Sequence, residues 1–329
     1  MPASVRARCL GWLRDQGLVS RVRFGQKGAV ILAAKLGRFG KLAVGGVALS
    51  LLAAAGIFVR AFHSESASFK AQRHAVPLSD EARAIPGLIA VEFPSRTGET
   101  MRGWYAPSQN GAAVVLTHGT GGDRRNGLPE ARELVGRGFG VLAFDFPGHG
   151  ESDGEVHWAA GELASLSGAL DFVAARPDVN AKKLGVVGAS MGGLIAVRLA
   201  EHDARVRALA LLGTPPDLSQ VIRLEFKRWG SLASSGALFA LKHYGMTLDR
   251  DQPRSLVARI APRELLIVGG ANDTLIPPHM ARELFLAAQQ PKEFYLAPNA
   301  KHGDYAAADP AYTAKLTDFF ARALAVAPP

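Results

Sequence analysis

The sequence predicts an α/β protein: a mostly parallel sheet with helices on both faces. Three observations carry this. Largely apolar runs at 112–117, 139–146, 184–187, 206–212, 264–269 and 293–296 read as strands, and the continuous apolar run 112–117 suits a strand buried on both faces. Helical stretches at 129–135, 158–175, 194–200 and 311–325 alternate with them, and that alternation produces parallel pairing. Glycine-rich segments bearing serine, aspartate or histidine follow several strand ends, which is where such sheets hold their active residues.

With 329 residues, 48% hydrophobic and 20% charged, the chain can bury a sizeable core. One cysteine, Cys9, excludes an intramolecular disulfide and any cysteine-based metal site. The net charge of +9 is concentrated in residues 1–41, which carry nine basic residues and one acid, Asp15. The remainder is nearly balanced, so a nucleic-acid-binding body is not expected.

Residues 42–59 contain no charge and are bracketed by Lys41 and Arg60. Eighteen helical residues span about 27 Å, close to the thickness of a bilayer's hydrocarbon core. A single transmembrane anchor is the preferred reading. The alternatives are a buried core helix, a cleaved signal peptide with secretion of the rest, or an arginine-rich mitochondrial presequence. For an anchor, the positive-inside rule puts arm 1–41 in the cytoplasm and the remainder on the outer, extracytoplasmic side. Trp12, Leu13, Val22 and Phe24 could then rest on the lipid surface, or the arm could be a disordered tail.

Residues 60–85 are mixed and polar and read as a stalk and linker. A hairpin follows, with strands at 89–93 and 101–105 around the turn Arg96-Thr97-Gly98-Glu99. The strand at 112–117 runs into His118-Gly119-Thr120-Gly121-Gly122, and the strand at 139–146 into Pro147-Gly148-His149-Gly150-Glu151-Ser152. The run 184–187 leads into Gly188-Ala189-Ser190-Met191-Gly192-Gly193. This is a G-x-S-x-G pattern between strand and helix, the nucleophile elbow. A strand turning directly into a helix strains its middle residue, and the close passage of the two elements requires glycine at 188 and 192.

Ser190, Asp273 and His302 each follow a strand, in that chain order. With GASMGG at 188–193, His118-Gly119 and DFPGHGES at 145–152, the chain resembles the α/β-hydrolase superfamily over residues 88–326. Within it, the chain looks most like membrane-anchored, short-lidded members grouped near serine aminopeptidases and dienelactone-hydrolase-like esterases. The resemblance implies an eight-stranded sheet in a domain at 86–326, with a short helical lid at about 215–262. It implies Ser190 as nucleophile, His302 as base and Asp273 as the residue that orients the imidazole. Asp217, after the preceding strand, is the rival acid. The oxyanion donors would be the backbone N–H groups of Met191 and, from the resemblance, Thr120. No metal or organic cofactor is required. His118, His149 and Asp145 read as structural.

In the lid, Ile222, Phe226 and Trp229 are spaced for one helix face. Leu238, Phe239, Leu241, Tyr244 and Met246 follow them. The stretch is either an apolar cover for an acyl chain or a plain helix packed on the sheet. The expected activity is hydrolysis of carboxylic esters, lipid esters and thioesters included, through an acyl-enzyme on Ser190. A peptidase of the same fold acting on small peptides is the alternative. A non-enzymatic scaffold would be expected to lack a member of the Ser190, Asp273, His302 set, and none is missing.

Overall fold

A computed structural model describes residues 21–24, 30–33, 38–157, 160–246, 248 and 250–326. The expectations for Trp12, Leu13 and Trp158 fall outside these residues. The chain divides into two compact units, Met1–Ile57 and Phe58–Pro329.

The first unit holds an antiparallel pair, β1 (Arg21–Phe24) and β2 (Val30–Ala33), which the reading of residues 1–41 as an arm did not foresee. Helix α1 (Arg38–Ser66) begins in this unit and ends in the second. The stretch Gly45–Phe69 is long and apolar enough to cross a membrane. Val47, Leu49, Leu51 and Leu52 are exposed, which overturns the buried-core-helix alternative.

The second unit is built on an eight-stranded sheet. Its strands are β4 (Ile89–Pro94), β5 (Thr100–Ala106), β6 (Ala113–Thr117), β7 (Gly140–Phe144), β9 (Leu184–Ala189), β10 (Val206–Leu212), β11 (Glu264–Gly270) and β12 (Lys292–Ala297), in the order β12-β11-β10-β9-β6-β7-β5-β4. The pairs β4–β5 and β5–β7 are antiparallel, and the rest are parallel. Side chains alternate across each strand. On β6, Ala113 and Val115 join the core that contains Leu166, Leu170, Ile195 and Val197. Val114 and Leu116 join the opposite core, with Leu134, Phe319 and Phe320. The helices behind these cores are α4 (Ala160–Ala174) and α5 (Met191–His202) on the first face. On the second are α3 (Leu128–Gly136) and α11 (Pro310–Ala323).

Two sequence expectations change. Residues 60–85 are built into the body instead of forming a stalk. Residues 60–66 continue α1, Phe69 and Val76 are buried, β3 (Gln72–Arg73) pairs with β8 (His149–Gly150), and a short helix α2 (Asp80–Arg83) follows. The polar surface of this segment hid a few deeply buried apolar anchors. The stretch expected as a lid comprises α6 (Leu218–Glu225), a 3₁₀ turn at Lys227–Trp229, α7 (Gly230–His243) and the short α8 (Pro253–Leu256). Because α6 stops at Glu225, Trp229 does not share a face with Ile222 and Phe226. Those two are buried, whereas Trp229 is 62% exposed. The remaining helices are α9 (Pro278–Ala287) and α10 (Tyr305–Ala308).

Candidate active site

Ser190 stands between β9 and α5 with φ 52° and ψ −115°, a left-handed conformation that costs a non-glycine residue about 1–3 kcal/mol. Close contacts hold it there. A methyl group at Gly188 would stand 2.6 Å from the Gly193 Cα and 2.9 Å from the Ala196 Cβ, so β9 and α5 touch here as expected. Gly192 is needed for a different neighbour, since a methyl there would lie 2.3 Å from the Thr117 Oγ1 at the end of β6. The Ser190 N–H donates to the Leu212 carbonyl at 2.8 Å, tying the turn to the end of β10.

The loops after β11 and β12 bring the other two residues to the serine. His302 Nε2 lies 3.0 Å from Ser190 Oγ, and His302 Nδ1 lies 2.8 Å from Asp273 Oδ2. The Asp273 carboxylate is fully buried. Its Oδ1 accepts from the backbone N–H groups of Leu275 and Ile276 at 2.9 and 2.8 Å, which fixes its rotamer. A carboxylate on Nδ1 demands a proton there, and this leaves the Nε2 lone pair facing the serine hydroxyl. The rival Asp217 is occupied elsewhere. It caps α6, its Oδ1 accepting from the Ser219 N–H and hydroxyl at 2.8 and 2.5 Å.

A cavity of about 360 Å³ opens onto Ser190 and His302. Thr120 and its glycine-rich loop, Asn126, Glu130, Leu212 and Leu275 are among its lining residues. Met191 is the first residue of α5, so its N–H belongs to the donors a helix start leaves without an intrahelical partner. None of the described residues between 215 and 262 lines this cavity.

His118 and His149 are buried, with ring centroids 4.9 Å apart. His118 Nε2 accepts from the Phe146 N–H at 2.9 Å, so its Nδ1 carries the proton and donates to the Gly119 carbonyl at 2.7 Å. Burial, reinforced by His149, lowers its pKa to about 3. His118 is therefore a neutral strut under the Gly119–Thr120 loop. Asp145 is also structural. It accepts from the Arg124 N–H at 2.7 Å, the Arg124 guanidinium at 2.6 Å and the Glu151 N–H at 3.0 Å. Arg124, which stands over the Trp104 ring, escaped the sequence reading because nothing local marks an arginine whose partner lies 21 residues away. Among the described residues, no group of three or more histidine, cysteine, aspartate or glutamate side chains could hold a metal ion.

A mostly parallel eight-stranded sheet, a serine at a strained strand-to-helix turn, and aspartate and histidine delivered from later strand ends are the arrangement of the α/β-hydrolase fold. A family profile for the α/β-hydrolase fold matches residues 112–237. The chain is 29% identical to the uncharacterized protein YfhR of Escherichia coli strain K12 over 224 residues, 65% of this chain and 73% of that one. Among solved structures, the Pyrococcus furiosus esterase Pf2001 superposes with a TM-score of 0.65 at 19% identity, covering 77% of this chain and 98% of the esterase. A membrane phospholipase A superposes with a TM-score of 0.54 at 20% identity, covering 87% of this chain and all of that one. The chain has the α/β-hydrolase fold.

Proposed function

We propose that the protein is a serine hydrolase that cleaves carboxylic esters through an acyl-enzyme on Ser190. The observation that carries this is the Ser190–His302–Asp273 hydrogen-bonded chain, at 3.0 and 2.8 Å, beside the cavity. As an ester carbonyl enters, His302 Nε2 takes the hydroxyl proton while Ser190 Oγ attacks the carbonyl carbon. Asp273 stabilises the imidazolium that forms. The N–H groups of Met191 and Thr120 receive the oxyanion, each such donor being worth about 3–4 kcal/mol. His302 then protonates the leaving alcohol. Water, deprotonated by the same imidazole, releases the acid and restores Ser190.

Two of the structural relatives are described as an esterase and a phospholipase, which favours oxygen esters, lipid esters among them. The α1 span serves as a membrane anchor. The basic residues before it favour a cytoplasmic N-terminus and an extracytoplasmic hydrolase body. A peptidase is the second reading. Its one supporting observation is Glu130, a carboxyl in the cavity wall that could meet a substrate ammonium. Burial pushes that carboxyl upward, toward the neutral acid, and a neutral acid offers an ammonium little.

The test uses the full chain in detergent with p-nitrophenyl esters of increasing acyl length, beside Ser190→Ala and a set of peptide p-nitroanilides. Ester turnover lost in the variant supports the proposal. Anilide turnover far above ester turnover would transfer it to the peptidase reading.

A further inference from the structure

The lid lines no part of the catalytic cavity, yet it carries an aromatic face and a run of cations. Within the second unit, the last turns of α1 pack on α7. The Phe58 and Phe62 rings lie 6.0 and 5.9 Å from the Phe239 ring, and Phe62 also meets His243 at 5.8 Å. Just beyond α1, Phe69 stacks on Tyr244 at 4.3 Å. The two helix backbones approach so closely that a methyl at Gly236 would stand 2.4 Å from the Phe58 carbonyl oxygen. Outward from this contact, Trp229, Leu232, Phe239 and Tyr244 remain exposed. Residues 226–246 carry Lys227, Arg228 and Lys242, all exposed, and no acid.

We propose that this lid docks on the surface of an anionic bilayer, held there by the Phe58–Phe62 end of α1. The proposal rests on reading α1 as a membrane anchor. Chain continuity supports it. Phe58 is the penultimate residue of the charge-free run and Phe62 lies three residues past its end, roughly 4.5 Å farther along the helix axis. An element packed on these residues lies at the depth where α1 leaves the hydrocarbon. Tryptophan and tyrosine favour that interfacial layer, and lysine and arginine beside them favour anionic headgroups. The docked lid holds the hydrolase body at headgroup level, so its ester substrates are lipids drawn from the bilayer it sits on.

The experiment places a bimane fluorophore at position 229 (Trp229→Cys in a Cys9→Ser background). The full chain is reconstituted in phosphatidylcholine vesicles with and without phosphatidylglycerol. Carbonate washing tests whether the protein is integrated. Quenching by aqueous iodide and by lipid carrying a shallow spin label then reports the environment of the lid. A second label at Leu286, an exposed residue outside the lid, serves as reference. The expected result is a carbonate-resistant protein whose position 229 is quenched by spin-labelled lipid. Its iodide quenching should be several-fold weaker than at position 286, with greater shielding when phosphatidylglycerol is present. Lys227→Glu with Arg228→Glu should reopen the site to iodide. Carbonate-resistant protein with position 229 as open to iodide as position 286 overturns the docking proposal alone. Release by carbonate overturns the anchor reading and the docking proposal together.

Discussion

Ser190 trades stability for position. Its φ of 52° suits glycine better than serine, so Ser190→Gly should raise the unfolding midpoint while abolishing ester turnover. A thermal melt checks this, and a lower midpoint in the variant would show that the turn stores no strain. His118 sets a pH dependence with a definite sign. Its folded pKa of about 3 lies below the ordinary histidine value of 6.5. Between those values the unfolded chain binds a proton that the folded chain refuses. Its contribution is therefore fully present above pH 6.5 and is lost as pH falls toward 3, amounting to about 2 kcal/mol by pH 5. Urea unfolding at pH 7 and pH 5 should show a smaller acid loss in His118→Gln than in the unmutated protein. At this scale the sequence was informative because Ser190, His302 and Asp273 are chemistry-bearing residues beside strand ends. It favoured Asp273 and kept Asp217 as the rival acid, since both follow strands. The difference lies in three-dimensional partners: Asp217 caps α6, whereas Asp273 faces His302.

Elements were legible wherever burial imposed a pattern. Six of the eight sheet strands follow the largely apolar runs, since a strand covered on both faces leaves little choice of residue type, and β4 and β5 follow the hairpin pattern around Arg96–Glu99. Trp229 was misplaced because a periodic pattern does not reveal where a helix gives way to a 3₁₀ turn. Residues 60–69 looked like a linker because most of their side chains are polar, yet Ala61, Glu65, Ser66 and Phe69 are buried and Phe62 meets the Phe239 ring. The loop at 145–152 is gathered around the buried Arg124–Asp145 pair. Removing one partner of such a pair leaves an uncompensated charge, so Arg124→Met should cost about 3–5 kcal/mol by chemical denaturation. A cost below 1 kcal/mol would mean the pair is dispensable. Gly236→Leu should force α7 from the end of α1 and destabilise by about 1–3 kcal/mol.

At the scale of the whole molecule, the sequence separated a basic, span-bearing N-terminus from a nearly neutral catalytic body, and the two compact units meet between Ile57 and Phe58. The short β1–β2 ladder was not foreseen, because the alternation of Arg21-Val22-Arg23-Phe24 runs for only four residues and Val30-Ile31-Leu32-Ala33 is uniformly apolar. Orientation is the open physical consequence of the charge asymmetry. An alkaline phosphatase reporter fused after Pro329 should be active, and the same fusion to green fluorescent protein exported through the general secretory route should stay dark. The reverse pattern would place the hydrolase body in the cytoplasm.

The account turns on an activated serine, and its most direct measurement is site-resolved labelling by a fluorophosphonate, read by peptide mass. The account predicts one adduct, on the peptide containing Ser190, formed rapidly in the unmutated protein and slowed by orders of magnitude in His302→Ala. An adduct at another residue, or equal labelling of Ser190 without His302, would contradict it.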